Sequence, residues 1–172
     1  MSRFLGVVFG VCAALALSGC GFRPLYATGT TPEGMETYFG QVFVEPIPGR
    51  QGVHLRNQLL DALTPAGTPS SSAYRLTIKL EDVKEGLAIR ENTNITRYNY
   101  SLTAKYELRD SVSNEVLDHG TARAVSAYNV ADSQFSTLSA ERDAQERAAR
   151  EVGEDIRLRL GLYFEQRFGS KS

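Results

Sequence analysis

The clearest regularity in the chain is a strict alternation between Arg97 and Arg109. Tyr98, Tyr100, Leu102, Ala104, Tyr106 and Leu108 share one parity, and Arg97, Asn99, Ser101, Thr103, Lys105, Glu107 and Arg109 share the other. Period two sends successive side chains to opposite faces of a strand, so the segment predicts a β-strand with one apolar and one polar face. A second strand is predicted where Tyr74, Leu76, Ile78 and Leu80 alternate with Arg75, Thr77, Lys79 and Glu81. Gln41 to Pro46 is β-branched and aromatic and is stopped by Pro46 and Pro48, which makes it an earlier strand. Glu115 to Tyr128 alternates less cleanly after the turn-forming Asp110 to Asn114, and Gly120 within it suggests a bulge or a close approach.

Elsewhere the period is helical. Leu55, Leu59, Ala62 and Leu63 form one stripe, with Arg56, Asn57 and Asp61 off it, so a short amphipathic helix is expected over residues 53–63, ended by Pro65 and Gly67. From Ser139 to Phe168, Ala140, Ala144, Ala148, Val152, Ile156, Leu160 and Phe164 step by four, and either Ser136 or Ser139 is placed to cap the start. A strict four-residue row drifts around a helix, so Ala149 and Tyr163 must join the buried face. The predicted order is β-α-β-β-β-α: an α+β two-layer sandwich, with a four-stranded sheet packed on two helices and its other face open and polar. That open face carries Lys79, Arg97, Asn99, Thr103, Lys105 and Arg109.

The N-terminus follows a different logic. Arg3, an apolar run from Phe4 to Leu17, then Ser18-Gly19-Cys20 have the three parts of a secretory signal. Fourteen apolar residues at ~1.5 Å each fall short of a ~30 Å hydrocarbon core. Leu17-Ser18-Gly19-Cys20 resembles the bacterial lipobox, in which the Cys thiol takes a diacylglycerol before cleavage just ahead of it. The alternative is ordinary cleavage near Ala16 or Gly19, which leaves Cys20 a free thiol. The expected organisation is a lipoprotein signal over 1–19, an acylated tether over 20–40 and one α+β domain over 41–172. Residue 21 is Gly rather than the Asp that retains enterobacterial lipoproteins in the inner membrane, so the outer membrane is the expected destination.

Composition narrows the chemistry. Nineteen Lys and Arg against twenty Asp and Glu give a net charge of -1, so no global attraction draws the chain to nucleic acid. Two Cys and two His, with Cys12 inside the signal, cannot supply a closed metal site, and no metal or cofactor is expected. His54 and His119 stand 65 positions apart without a nucleophile at motif spacing, so no catalytic residue is assigned and the chain is not expected to be an enzyme. No glycine pattern forms a phosphate-cradling loop.

One stretch mixes characters. Residues 83–96 read as a loop between two strands, with Leu87 and Ile89 as candidate partner contacts among Lys84, Arg90 and nearby Arg97. Apolar atoms accept acyl chains or a partner wall, and guanidinium offers paired donors to phosphate. The competing reading is a hairpin whose Leu87 and Ile89 pack internally.

Several segments carry a resemblance. They are Cys20-Gly21-Phe22-Arg23-Pro24-Leu25-Tyr26, Val44-Glu45-Pro46, Leu55-Arg56-Asn57-Gln58-Leu59, Tyr74-Arg75-Leu76, Tyr106-Glu107-Leu108-Arg109-Asp110, and Ala127-Tyr128-Asn129 before a long Ala/Glu/Arg helix. In that order they resemble the lipopolysaccharide-assembly lipoprotein family, LptE, in its alphaproteobacterial form, over nearly the whole mature chain. The resemblance implies a four-stranded sheet on two helices. It also implies a partner, the outer-membrane barrel LptD, in which family members act as a plug and help deliver lipopolysaccharide to the cell surface. Charge and position make Lys79, Lys84, Arg90, Arg97 and Lys105 the candidate lipopolysaccharide contacts. A lipid-anchored adaptor of another envelope complex is the competing functional reading.

Overall fold

The computed structural model describes residues 35–65, 67, 71–89, 95–131 and 133–168. Cys20, the signal segment, the first part of the tether and Arg90 lie outside them. The order is α1 (Met35–Phe39), β1 (Val42–Val44), α2 (Arg50–Leu63), β2 (Tyr74–Ile89), β3 (Ile95–Asp110), β4 (Val116–Asn129) and α3 (Gln134–Phe168). Both α1 and the expected elements are present, so the α+β sandwich gains a third, short helix. It falls in the stretch read as tether: Phe39 is buried and Tyr38 stacks on Phe164 at 5.6 Å.

The sheet runs β1-β2-β3-β4, with β1 parallel to β2 and the other pairs antiparallel. Register fixes its two faces. Leu76↔Leu108, Ile78↔Tyr106, Leu80↔Ala104 and Asp82↔Leu102 align on one face, continued on β4 by Ala124, Ala122 and Gly120. That parity is the buried one, and Leu76, Leu102, Ala104 and Leu108 are fully enclosed beneath the helices.

Helix α2 begins after Gly49, which takes φ 83°, and ends where Thr64 donates its backbone N–H and its hydroxyl to the Leu60 carbonyl. It buries Gly52, Leu55, Leu59 and Leu63, while Arg56 Nε donates to the Val44 carbonyl at 3.2 Å and ties the helix to β1. Helix α3 has 35 residues, or ~52 Å at ~1.5 Å per residue. That matches the sixteen-residue strands β2 and β3 at ~3.3 Å per residue. Its four-residue row stays buried from Ala144 to Phe164 because its partners change along the way. Glu141 meets Lys84 of β2, Gly153 meets Leu55 of α2, and Phe164 meets Tyr74 at the start of β2. Ala149, Gly153 and Gly161 join the buried face as the drift requires, and Tyr163 packs half-buried against it.

Several boundaries differ from the sequence reading: β1 is confined to Val42–Val44 within the expected 41–46, and α2 starts at Arg50 rather than 53. β2 runs to Ile89 and β3 starts at Ile95, so most of the segment read as a loop is paired strand. Its alternation fails because outer residues such as Val83, Glu85 and Leu87 are exposed and the inner positions there are Lys84 and Gly86, so neither face demands an apolar set. Register shifts at Gly86 to Ile89 accommodate the irregularity. Helix α3 starts at Gln134, not 139, and Ser136 and Ser139 lie inside it. The start is held by Ser133, whose hydroxyl accepts from the Ser136 N–H at 3.5 Å and whose carbonyl accepts from the Thr137 N–H at 3.1 Å. Gly120 is a close approach rather than a bulge: it pairs with Tyr106, whose ring atoms would lie 2.8–2.9 Å from a Cβ there.

Candidate binding face

Cross-strand pairs on the open side of the sheet form rows. In order they are Arg75 and Arg109; Thr77, Glu107 and His119; Lys79, Lys105 and Thr121; Glu81, Thr103 and Arg123; Val83, Ser101 and Val125; and Glu85, Asn99 and Ala127. Like charges directly opposite repel, so the Lys79↔Lys105 and Arg75↔Arg109 pairs need counter-charges. Glu81 accepts from Lys105 Nζ at 2.7 Å, Glu45 of the β1 edge lies 3.5 Å from Arg75, and Glu107 accepts from Arg109 at 2.6 Å. The Glu107 carboxyl sits below its ordinary pKa because Arg109 bonds it. Lys79 makes no ion pair among the described residues. A shallow hollow of about 310 Å³ opens here, lined by Thr77, Lys79, Lys105, Glu107, His119 and Thr121. The lining is mixed in charge: the Lys105 ammonium is held by Glu81 and the Glu107 carboxylate by Arg109. That leaves the Lys79 ammonium, beside the hydroxyls of Thr77 and Thr121, as the unpaired charge among the described residues that can meet an anionic group. Arg123 Nε donates to Ser101 at 3.0 Å, so its guanidinium lies along the same face.

Toward the hairpin end the face turns apolar, with Val83 52% exposed, Val125 49% and Leu87 53%. Arg97 is exposed and pairs with Asn129 across the sheet. Among the expected lipopolysaccharide contacts, then, Lys79 and Lys105 stand opposite one another and Arg97 shares their face nearer the tip. Lys84 does not join them.

Lys84 has the opposite parity and points to the helix side. Its ammonium donates to Glu141 of α3 at 2.8 Å and lies 4.5 Å and 5.4 Å from the ring centroids of Tyr98 and Tyr128, which stack at 5.6 Å. Burial opposes the charge on Lys84, yet the Glu141 carboxylate bonded to it, with the Tyr128 hydroxyl nearby, outweighs burial and raises its pKa. Tyr128 is raised chiefly by its burial. Tyr100 beside them is raised far above the ordinary phenol range by burial and then by Asp82, whereas Tyr106 is pushed up to about 12 by burial and then by Asp118. Tyr106 donates to Asp118 at 3.4 Å, whereas the buried hydroxyls of Tyr100 and Tyr128 have no hydrogen-bond partner among the described residues, so those two rings act by packing.

Replacing Lys84 by Met is expected to cost about 0.5–1 kcal/mol, since the pair is partly solvent-screened. Because the folded-state pKa of Lys84 is raised, its contribution is complete below the unfolded lysine value of ~10.4 and is lost as pH rises through the folded value. Denaturant unfolding of wild type and Lys84→Met at pH 8 and at pH 11 checks this: the gap between them should narrow at the higher pH.

The turn at the other end is self-contained. Asp110 accepts from the N–H groups of Val112 and Ser113, which lowers its carboxyl pKa, and Asn114 takes φ 59° before β4. His54 lies on α2 on the helix side and His119 on the open face, so the two histidines do not converge. No group of three His, Cys, Asp or Glu able to hold a metal occurs among the described residues. No helix among them is long and apolar enough to cross a membrane.

A family model for lipopolysaccharide assembly, LptE, matches residues 39–160, the sheet and most of both long helices. The chain belongs to the LptE family. No curated protein sequence matches the chain. Among solved structures, a lipoprotein from Caulobacter crescentus CB15 is 25% identical, with a TM-score of 0.64 over 76% of this chain and 96% of that one. A minor lipoprotein from Acinetobacter baumannii is 19% identical, with a TM-score of 0.55 over 72% and 94% of the two chains. Lipoprotein B of Nitrosomonas europaea is 16% identical, with a TM-score of 0.57 over 72% and 83%. The last two show a shared fold alone. Membership of LptE gives this chain a role in lipopolysaccharide assembly.

Sequence reasoning missed Phe135 and Leu138, which fell ahead of the expected helix start and are 80% and 47% exposed on α3. Their spacing of three was the available signal.

Proposed function

We propose that this LptE-family chain is an outer-membrane lipoprotein, held on the periplasmic side by an acylated Cys20. In this reading it occupies the LptD barrel as a plug and binds lipopolysaccharide without covalent chemistry. The observation that carries the reading is the open sheet face, where Lys79 and Lys105 stand opposite one another over a hollow and Arg97 lies farther along. A wide barrel has a polar lumen, which a charged plug surface with a few apolar contacts complements. Phosphates of lipopolysaccharide match the cations of that face, and its acyl chains match the exposed apolar atoms of Val83, Val125 and Leu87.

Extraction in mild detergent should bring the barrel down with the full chain, and Cys20→Ala should shift the mature protein to the soluble periplasmic fraction. Lys79→Glu with Lys105→Glu is expected to weaken lipopolysaccharide binding about tenfold or more, as paired loss of charged contacts does, without lowering Tm appreciably. Arg90→Glu with Arg97→Glu should act in the same direction. Full-strength binding by both double variants, in a chain that still captures the barrel, would remove the cations from the site.

A further inference from the structure

The sheet has one long open edge. Among the described residues β4 pairs with β3 alone, whereas the opposite edge is the three-residue β1. In an antiparallel ladder alternate residues turn both N–H and C=O away from their partner strand. Ala127 fixes the phase, because its carbonyl accepts from an Arg147 guanidinium nitrogen at 3.3 Å, from outside the ladder. The backbone groups of His119, Thr121, Arg123 and Val125 therefore point away from β3 as well, and all four residues are exposed. Two stops bound this stretch: Arg147 occupies the edge at Ala127, and a register shift between Asp118 and Val116 ends the regular ladder. Long edges are commonly blunted by Pro, bulges or several charges. Residues 119–125 contain no Pro, no register shift and one charge, Arg123.

Helix α3 lies over β3 and β4 and carries a charged row along the same edge. Asp143, Arg147, Glu151, Asp155 and Arg159 step by four, each one residue ahead of a buried residue of the row from Ala144 to Leu160, so they keep to one flank of the buried stripe. The other flank, with Gly153 and Arg157, meets Leu55 of α2 and Phe39 of α1. On the edge flank Arg147 reaches Ala127, and Arg159, whose charge is favoured most by its 2.8 Å hydrogen bond to Asp155, is favoured also by Tyr106 and by Asp118 of β4.

Both the row and the strand complement themselves when reversed. Turned end for end about Glu151, the row sets Asp143 against Arg159 and Arg147 against Asp155, each twice, and Glu151 alone meets its like. Turned about Ala122, the open stretch sets His119 against Val125 and Thr121 against Arg123. Turning about Arg123 instead would oppose two guanidiniums, which repel. Glu151 lies between Arg147 and Arg159 as Ala122 lies between Ala127 and Asp118, so the two centres share one part of the domain. A two-fold axis normal to the sheet reverses strand and helix together, so one operation satisfies both.

We propose that the β4 edge is a self-association surface, on which a second copy of this chain pairs antiparallel through residues 119–125 while the two α3 rows form ion pairs across the join. The proposal goes beyond the lipopolysaccharide and barrel readings and does not depend on either.

The test uses the full acylated chain, purified in mild detergent away from other envelope proteins. One tagged copy carries Thr121→Cys and a second, differently tagged, carries Arg123→Cys; the parent chain gives any background from Cys20. Opposed residues lie ~5.5 Å apart, within disulfide reach. Oxidation should therefore give the mixed dimer in about tenfold or greater excess over a pair of Val112→Cys chains, whose exposed turn position measures chance collision. Thr121→Pro removes an N–H that points away from β3, so the domain should keep its own ladder and sediment as a single chain where the parent sediments as a dimer. Asp143→Arg should weaken the dimer roughly tenfold, because the symmetry counts each contact twice. Adding Arg159→Asp to it should restore association, a result that a misfolded variant cannot give. A parent that sediments as a single chain at every concentration, or a mixed dimer no more abundant than the Val112 pair, overturns the proposal. So does a dimer indifferent to both Thr121→Pro and Asp143→Arg.

Discussion

Phe164→Ala is expected to destabilise the domain by about 3–5 kcal/mol, the range for deleting a fully buried aromatic, and to lower Tm by roughly 10 °C or more. The ring is 1% exposed and is the hub of an aromatic group. Tyr38 lies 5.6 Å away, Phe39 5.9 Å, Tyr74 5.1 Å, Tyr163 5.3 Å and Phe168 6.4 Å between centroids. These residues come from α1, the first residue of β2 and the last turns of α3, so one side chain joins three parts of the chain. Tyr38 and Phe168 also stack on each other at 4.4 Å, which fixes the end of α3 over α1. Phe164→Leu keeps much of the volume and should recover about half of the loss. Denaturant unfolding of the three proteins checks this, and a loss below about 1 kcal/mol for the alanine variant would show that the cluster does not act as a hub.

The second large effect is expected at Gly52. A Cβ there would lie 2.4 Å from the Ile47 carbonyl oxygen and 2.8 Å from its carbon, contacts with backbone that no rotamer change relieves. Gly52→Ala should therefore cost about 1–3 kcal/mol through overpacking, even though alanine is the better helix former by ~1 kcal/mol. Gly153 provides the contrast. A Cβ on it would meet Leu55 Cδ1 at 3.5 Å and Gln58 Cβ at 3.6 Å, ordinary packing distances. Gly153→Ala is expected to be neutral or to stabilise by up to ~1 kcal/mol, because the propensity gain is then unopposed. Opposite signs for these two helical glycines, measured by thermal and denaturant unfolding, are the outcome that supports the packing described. Equal effects would mean that the tight turn from Ile47 into α2 adjusts freely.

Where one face of an element is buried, the alternation of residue types was enough to place it. The six-residue apolar parity of β3, the four-residue row of α3 and the stripe of α2 correspond to buried sets in the folded chain. The same parity put Lys79, Lys105 and Arg97 on the open face in advance. Lys84 escaped such reasoning because it follows the buried parity at a place where the core has given way to tyrosines and a carboxylate, so a cation satisfies the inner face there. Its partner Glu141 lies 57 positions away, and no local pattern links them. The helix start escaped for a related reason: the first turns of α3 cover little of the sheet, so Phe135 and Leu138 stand outside the row that announces the rest.

By itself, then, the sequence determined the two-layer class, the polarity of each sheet face and the family features, because these follow from local period and from ordered short motifs. Only the tertiary structure decided which cations converge and which is spent on the helix. It alone also brought Lys84 of β2 to Glu141 in the first turns of α3, since those neighbours meet through strand register and helix direction rather than spacing along the chain.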